Sequence, residues 1–517
     1  MVNFAAENDS GMTTDTKCAK ELPEDFQRMM TEVLGKEEYD QLAEALALPA
    51  PTSIRLNPQK TPSLNLPLYG EEYHPDSSPT TITPNGSSHR GEDVRRTEGV
   101  FWCDTGFYLS ERPSFTLDPL FHAGCYYVQE ASSMFLSHVI RQYVKEPVVA
   151  LDLCAAPGGK STLALSELPE GSLLIANEVV RQRANILAEN VIKWGNPNCI
   201  VTNNYAEDFE AFGNTFDLII CDAPCSGEGM FRKDPDSIGE WSLANVDTCW
   251  RRQRDIVQNI WHTLKEGGLF VYSTCTYNPL EDEENVAWIA KTLGAEVLSC
   301  QPKPEWGLSE KNTHFYPHRI KGEGFFISIL RKTSEATEGR RSKVKDRKLN
   351  TKIPKELKEW LIDEDNFTIM EEEDMFRAFP TAYQELYQQA KRNLKVIHAG
   401  IELATSTSTG RNLKPHIVSS ARLARQETST FSSTKSNLKP SHSLAMSNNL
   451  NREAFPTVEV DEEQAIAYLR TEALQLPPET PRGYVLICYQ GHPLGFVKNI
   501  GNRANNLYPT EWRIRKK

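Results

Sequence analysis

The chain holds eleven cysteines in 517 residues, yet no two are spaced C-x-x-C. Their number is odd and their spacing scattered, which argues against a zinc knuckle, a metal site or a disulfide framework. No apolar run is as long as a membrane span. The opening segment, MVNFAAENDSGMTTDTK, lacks a basic stretch followed by an apolar one. No secretory leader is therefore expected, and the protein is expected in the cytoplasm. Positive charge is in deficit, 57 Lys and Arg against 70 Asp and Glu, for a net charge of −13. That balance opposes indiscriminate nucleic-acid binding without excluding a local basic surface. Two phosphate fingerprints are missing too. No G-x-G-x-x-G occurs, and a P-loop would need glycine where Cys154 stands.

Charged residues at 25% and apolar ones at 39% suit a soluble globular class. At roughly 150 residues per domain, two to four domains are expected. Residues 20–50 read as helical, with Leu22, Phe26, Met29, Met30, Leu34, Tyr39 and Leu42 at helical spacing. Residues 70–100 are polar and rich in Pro, Ser, Thr and Gly, as in an exposed loop or insertion. From 147 to 331 strands and helices alternate. Apolar runs at 148–154, 172–177, 200–203, 216–221 and 269–273 read as strands. Helices are expected near 160–168, at 181–194 and at 248–265. The last carries Ile256, Val257, Ile260, Trp261 and Leu264 on one face and ends at Gly267-Gly268. A late strand at 325–330 is expected to be antiparallel and at the sheet edge. The pattern is that of an α/β fold with a doubly wound, mostly parallel sheet.

Beyond it, residues 340–358 carry nine Lys/Arg against Asp346 and Glu356, a basic linker. Residues 404–450 are dominated by Ser, Thr and Asn and are expected to be mobile. They include a short repeat, Asn412-Leu413-Lys414-Pro415 and Asn437-Leu438-Lys439-Pro440. The last 35 residues alternate as a small β module with a basic tail around Arg513, Arg515, Lys516 and Lys517.

Chemistry concentrates at the predicted strand ends. The turn Cys154-Ala155-Ala156-Pro157-Gly158-Gly159-Lys160 follows the first strand, where ligands sit in such sheets. Glu178 ends the second strand, 26 positions after Asp152, where an acid can accept hydrogen bonds from ribose hydroxyls. A plain structural turn competes. Among ligands, an adenosine cofactor without pyrophosphate, such as S-adenosylmethionine, fits better than NAD. Cys225 and Cys275 each stand just past a strand, in Asp222-Ala223-Pro224-Cys225 and Tyr272-Ser273-Thr274-Cys275. Paired thiols there suit covalent attack on a ring that is unreactive by itself. Buried structural cysteines are common, and Cys154, Cys199 and Cys221 fit that description. Spacing alone leaves both readings of the pair open.

Three long strings occur in order: Leu153 to Lys160, Asp222-Ala223-Pro224-Cys225-Ser226-Gly227-Glu228-Gly229, and Tyr272-Ser273-Thr274-Cys275-Thr276. Together they resemble the RNA cytosine-5 methyltransferases of the Nol/Nop/Sun type. Thr52 to Asn57, Arg112 to Phe115, Tyr126 to Ser133 and Tyr489 to Arg515 look like the bacterial RsmF-like ribosomal RNA enzymes with their PUA-like module. The likeness spans nearly all of the chain except 70–100 and about 405–436. It implies a Rossmann-like methyltransferase domain, with S-adenosylmethionine as methyl donor and a cytosine of small-subunit ribosomal RNA as acceptor. It implies Cys275 as nucleophile toward C6, Cys225 in product release, Asp222 stabilising the adduct, and Lys160 holding Asp222 ionised. Cys154, Ala155, Ala156, Pro157, Gly158, Gly159, Lys160, Glu178, Arg183 and Asp222 would line the cofactor site. Where such enzymes carry Asp after the third strand, this chain holds Tyr205.

The implied division is an N-terminal extension at 1–135, the methyltransferase domain at 136–333, and the basic linker at 334–358. An α+β domain at 359–475, interrupted at about 404–436, and an RNA-binding module at 476–517 follow. A monomer is expected. Glu284-Asn285-Val286 copies a motif of DNA cytosine-5 enzymes, but it falls on an expected helix and reads as coincidence. Methyl transfer to DNA or a small molecule is one alternative. An RNA-binding assembly factor with dispensable chemistry is another.

Overall fold

The computed structural model describes residues 21–61, 98–333, 353–406 and 438–515. They form two compact units. The first takes the described residues up to 333 and adds Glu385–Ala399; the second takes the rest. Residues 385–399 lie inside the range that the sequence assigns to a domain at 359–475. The expectations for the loop at 70–97, most of the basic linker and the first copy of the repeat lie outside the described residues.

In the first unit, α1 (Glu24–Leu34) and α2 (Lys36–Leu46) replace one continuous helical stretch. Gly35 separates them with φ +82°, a left-handed value that glycine adopts without strain. Strands β1 (Thr52–Leu56), β2 (Glu98–Val100), β3 (Cys103–Leu109) and β4 (Tyr126–Val128), the last preceded by α3 (Pro119–His122), make a four-stranded sheet. Helix α4 (Phe135–Tyr143) leads into the main sheet. There β5 (Val149–Asp152), α5 (Gly159–Glu167), β6 (Leu173–Asn177), α6 (Arg181–Trp194), β7 (Cys199–Thr202), β8 (Phe216–Asp222), α7 (Asp236–Glu240), α8 (Leu243–Ile260) and β9 (Leu264–Thr274) follow in turn. Helix α9 (Glu283–Thr292) and strands β10 (Ala295–Leu298), β11 (Thr313–Phe315) and β12 (Phe325–Lys332) complete this stretch.

The strand order is β10-β12-β9-β8-β5-β6-β7, with β9 to β7 mutually parallel. Chain direction across the sheet reverses at β5, the switch point where a crevice opens beyond the carboxyl ends. Ile200, Ile175, Leu151, Ile219 and Phe270 stand in one register row across the five parallel strands, none exposed to solvent. Each such side chain contributes roughly 1.5–3 kcal/mol by burial. Strands covered on both faces read as unbroken apolar runs, which is why the sequence shows them.

Two expectations fail here. Helix α8 starts at Leu243 and ends at Ile260, not 248–265. The Ser242 hydroxyl accepts from Asn245 N and caps it, and its buried stripe is Val246, Cys249, Gln253, Val257 and Ile260. The polar Gln253 interrupts the apolar period and hides the true stripe. Gly267 and Gly268 therefore end no helix. They form a bend within β9, where Gly267 has φ +73° and the pairing with β8 shifts register. Strand β12 is antiparallel but not at the edge, because β10 and β11 pair beyond it.

In the second unit, α10 (Glu356–Glu359) precedes β13 (Phe367–Glu372) and β14 (Met375–Pro380). Helix α11 (Gln384–Asn393) and β15 (Val396–Ala399) intervene, and β15 pairs antiparallel with β7 of the first unit's sheet, to which it belongs. Strands β16 (Ile401–Ser406) and β17 (Leu438–Pro440) then join β13 and β14 in one sheet. Helix α12 (His442–Met446), strand β18 (Thr457–Glu459), helix α13 (Glu462–Leu469) and strands β19 (Gly483–Tyr489), β20 (His492–Asn499) and β21 (Ala504–Asn506) close the chain. Mobility expected across 404–450 is corrected at 438–450. Leu438, Pro440, Leu444, Ala445 and Met446 are buried, and Ser441 caps α12. Apolar residues scattered among Ser and Asn suffice to order the segment. Among the described residues no helix is long and apolar enough to cross a membrane.

Candidate active site

The turn after β5 is clamped from several sides. Ala155 N donates to Asn177 O at 2.8 Å, and Asn177 Nδ2 donates to Leu153 O at 3.1 Å and Asn204 O at 2.9 Å. Asn177 thus ties together the loops after β5 and β7. Gly158 caps α5 at φ +118°, a conformation that L side chains resist. From α6, Arg183 Nη2 donates to Ala156 O (2.7 Å) and Asn190 Nδ2 to Pro157 O (2.8 Å). From β1, the buried Arg55 reaches Thr162 Oγ1 (2.6 Å) and Gly159 O (3.3 Å).

The residues suit a nucleoside-bearing cofactor. Glu178 is buried; its Oε1 accepts from Val180 N (2.8 Å), and its Oε2 stands 3.4 Å from Arg183 Nη1. Val179, Val180 and Tyr205 are exposed at the ends of β6 and β7, apolar surface on which a flat base can rest. Asp152 is fully buried, with Oδ2 bonded to Ser161 Oγ at 2.6 Å and Oδ1 without a partner. Burial pushes its carboxyl up to about 7.

The ends of β8 and β9 bring the two thiols together. Cys225 Sγ lies 3.1 Å from Cys275 Sγ and accepts from Cys275 N at 3.3 Å. The bond to Cys275 and burial both hold the Cys225 thiol well above its ordinary range. The two sulfurs share one hydrogen bond in which either can be the donor. Lys160 Nζ stands 2.8 Å from Asp222 Oδ2, and Ser273 Oγ donates to Asp222 Oδ1 at 2.8 Å. Burial alone would lower the Lys160 ammonium, but the charges of Asp222, Asp152 and Cys275 outweigh it and raise it. A cation fixed between cofactor turn and thiols favours negative charge on the adjacent groups.

A buried polar network braces both thiol loops. Glu228 Oε2 accepts from Tyr277 N (2.7 Å) and Asn278 N (3.1 Å), and its Oε1 from Trp241 Nε1 (3.0 Å). Glu281 accepts from Ser226 N (3.0 Å), Asn278 Nδ2 (2.8 Å) and Gln253 Nε2 (2.7 Å). Burial raises its carboxyl despite these donors. Gly229 N donates to Cys275 O at 2.9 Å, joining one loop to the other.

Cys275, Cys225, Asp222 and Lys160 thus gather at one place, and Ala155–Lys160, Glu178 and Arg183 line the neighbouring strand ends. Tyr205 lies beyond β7 with its ring exposed. Cys199 and Cys221 are buried, whereas Cys154 is only half-buried, its thiol bonded to Cys221. Glu284–Val286 falls in α9, where Asn285 Nδ2 donates to Gln253 Oε1 at 2.7 Å, a packing role. Arg55, Asn177, Asn190, Glu228, Asn278 and Glu281 escaped the sequence reading. Glu228 and Asn278 carried a signal by lying in or beside the thiol strings, and Arg55 by lying in the Thr52–Asn57 string.

The family described as 16S rRNA methyltransferase RsmB/F matches residues 142–331. The N-terminal domain of 16S rRNA methyltransferase RsmF matches 77–131, starting inside the stretch set aside as an insertion. The methyltransferase RsmF PUA domain matches 455–514. Ribosomal RNA small subunit methyltransferase F of Shewanella loihica is 30% identical over 441 residues, covering 80% of this chain and 83% of its own. The protein of that name from Aliivibrio fischeri is 30% identical over 444 residues, covering 80% and 85%. A methyltransferase homologue of known structure from Pyrococcus horikoshii is 25% identical with a TM-score of 0.47, covering 59% of this chain and 94% of its own. Likeness that runs through N-terminal domain, catalytic domain and PUA domain is more than a shared nucleotide-binding core, and the chain belongs to the RsmB/F family of 16S ribosomal RNA methyltransferases.

Proposed function

We infer that this chain methylates C5 of a cytosine in small-subunit ribosomal RNA, with Cys275 as the nucleophile. The observation that carries this reading is the 3.1 Å approach of the two strand-end thiols beside the Lys160–Asp222 pair. When bound, S-adenosylmethionine supplies an electrophilic methyl group. Cys154, Ala155–Lys160, Glu178, Arg183, Tyr205 and Asp222 would hold it, Glu178 at the ribose.

Cytosine C5 is a weak nucleophile until C6 is attacked. The Cys275 thiolate forms the S–C6 bond, and the C5–C6 π pair moves toward C5 while N3 takes up a proton. Asp222, held by Lys160 and Ser273, stabilises that protonated ring. C5 uses that electron pair for the new bond to the methyl carbon, whose former bond pair would stay on the donor's sulfur. Loss of the C5 proton to a base then re-forms the C5–C6 double bond and expels the Cys275 thiolate, and N3 gives back the proton it took up. Cys225 assists this last step. The base must leave its stack to reach the thiol, which favours a loop or an open RNA segment.

We assign RNA holding to the region matched as a PUA domain, with Arg513 and Arg515 of the basic tail facing phosphate. We further propose that the domain division read from the sequence holds except that 385–399 joins the first unit and the RNA-binding module begins near 455, and that the protein acts as a monomer in the cytoplasm. Cys275→Ala should abolish transfer of labelled methyl to ribosomal RNA. Cys225→Ala should leave protein on RNA as an adduct that survives denaturing electrophoresis. Full methylation by Cys275→Ala would remove the nucleophile assignment, and a clean Cys225→Ala lane on methylated substrate would remove the release role.

A further inference from the structure

Seven positions beyond Cys275, a second group of side chains converges that methyl transfer does not use. His314 on β11 pairs in register with Phe326 on β12, and Phe326 with Thr274 on β9. Asp282, at the start of α9, approaches the ends of this row. Asp282 is fully buried and makes no capping bond to the helix. Its Oδ1 accepts from Thr274 Oγ1 at 2.6 Å, while its Oδ2 has no hydrogen-bond partner. That free oxygen stands 3.9 Å from His314 Nδ1, which is buried and also lacks a hydrogen-bond partner. His314 Nε2 is 2.6 Å from Glu283 Oε1, and Glu283 Oε2 is a third buried atom without one. Stacking on Tyr316 (5.0 Å between centroids, 8° between planes) and contact with Phe326 (4.7 Å) fix the imidazole.

A buried carboxylate oxygen with no donor is costly. Here burial, with the charges of Glu283, Glu281 and Glu228, drives the Asp282 carboxyl well above its usual range. The local field is negative, and the three residues each offer a donor atom within 4.8 Å of the others. A tetrahedral ion with ligands at about 2.0–2.2 Å would need donors about 3.3–3.6 Å apart. The Asp282 Oδ2–His314 Nδ1 pair, at 3.9 Å, needs to close by a few tenths of an ångström, and all three donors start within 4.8 Å of one another. One imidazole and two carboxylates suit zinc or a similar divalent first-row ion rather than a thiolate-seeking one.

We propose that Asp282, Glu283 and His314 bind one divalent transition-metal ion behind the strand end that carries Cys275. The ion neutralises Asp282 and so keeps its Oδ1 as acceptor for the Thr274 hydroxyl, one residue before the nucleophile. It is a positioning ion and touches no substrate. The site reverses the sequence expectation of no metal, which rested on cysteine spacing. Its ligands fall into Asp282-Glu283 and, 31 positions further on, His314, and they meet only in the folded sheet.

The test uses the full chain, freed of metal by a chelator, kept reduced with a phosphine, and titrated with Co2+. One equivalent should bind with the weak visible bands of nitrogen and oxygen ligation, and Zn2+ should displace it. Asp282→Asn and His314→Gln should each weaken binding at least about tenfold. Cys225→Ala and Cys275→Ala should leave it unchanged. Thermal melts without metal check that each variant folds; if one does not, Glu283→Gln, on the more exposed ligand, takes its place. Absence of stoichiometric uptake, uptake indifferent to these substitutions, or a near-ultraviolet sulfur-to-cobalt band would each overturn the site. The first result would leave Asp282 Oδ2 and His314 Nδ1 as buried atoms without a ligand between them.

Discussion

Asp152 shows how a single buried carboxyl couples the cofactor end of the sheet to pH. An unfolded Asp titrates near about 3.9, whereas in the fold burial lifts Asp152 to about 7. Between these values the folded state binds the extra proton, so its stability falls as pH rises. The contribution is complete below the unfolded value and lost once pH has passed the folded one. Asp152→Asn keeps an acceptor for Ser161 and removes the titration. Its stability relative to the parent chain should climb from pH about 4 to about 7, by at most about 1.4 kcal/mol per unit, and then level off. Urea midpoints across that range measure it; a difference independent of pH would contradict the assignment. At the same scale, the thiol pair is geometrically asymmetric: the sulfurs lie 3.1 Å apart, and Cys225 Sγ also accepts from Cys275 N at 3.3 Å.

Among the elements, the two loops after β8 and β9 act as one piece. Gly229 is the contact point. A Cβ built there would lie 2.8 Å from Gly324 O and 3.1 Å from Cys275 O, both backbone atoms that cannot swing aside. Gly229→Ala should push the loops apart, cost about 1–3 kcal/mol, and lower kcat while leaving KM for S-adenosylmethionine near its parent value. Steady-state kinetics with a thermal melt separate the two effects. An unchanged kcat would show that loop spacing does not set the thiol geometry. Elements also differ in how plainly the sequence announces them. Strands β5, β6 and β8 are buried runs and read directly. Strands β10, β11 and β15 are three or four residues long and become strands only because β12 and β7 offer an edge. Helix α8 was displaced in the reading because a buried glutamine serves the network around Glu281.

For the whole molecule, charge poses the question of how an acidic chain holds RNA. With a net charge of −13, long-range attraction cannot come from the average surface. It must come from local cations. Arg513 and Arg515 are exposed beside the buried Ile514. Replacing both with Ala should weaken RNA binding and reduce the slope of log affinity against log salt by about 2, with turnover at saturating RNA unchanged. Binding measured at several salt concentrations decides this, and an unaltered slope would place phosphate contact elsewhere.

The order of strings along the chain determined the fold class and singled out the turn after β5 and the two strand-end thiols as candidates, because each is a local pattern of residue types beside a buried strand. Tertiary structure alone decided that the two sulfurs meet, which distant arginine props the helix after the turn, and that Asp282 meets His314. Those outcomes depend on dielectric and distance between residues that only the closed sheet brings within hydrogen-bonding or ligand range, and linear spacing carries no measure of either.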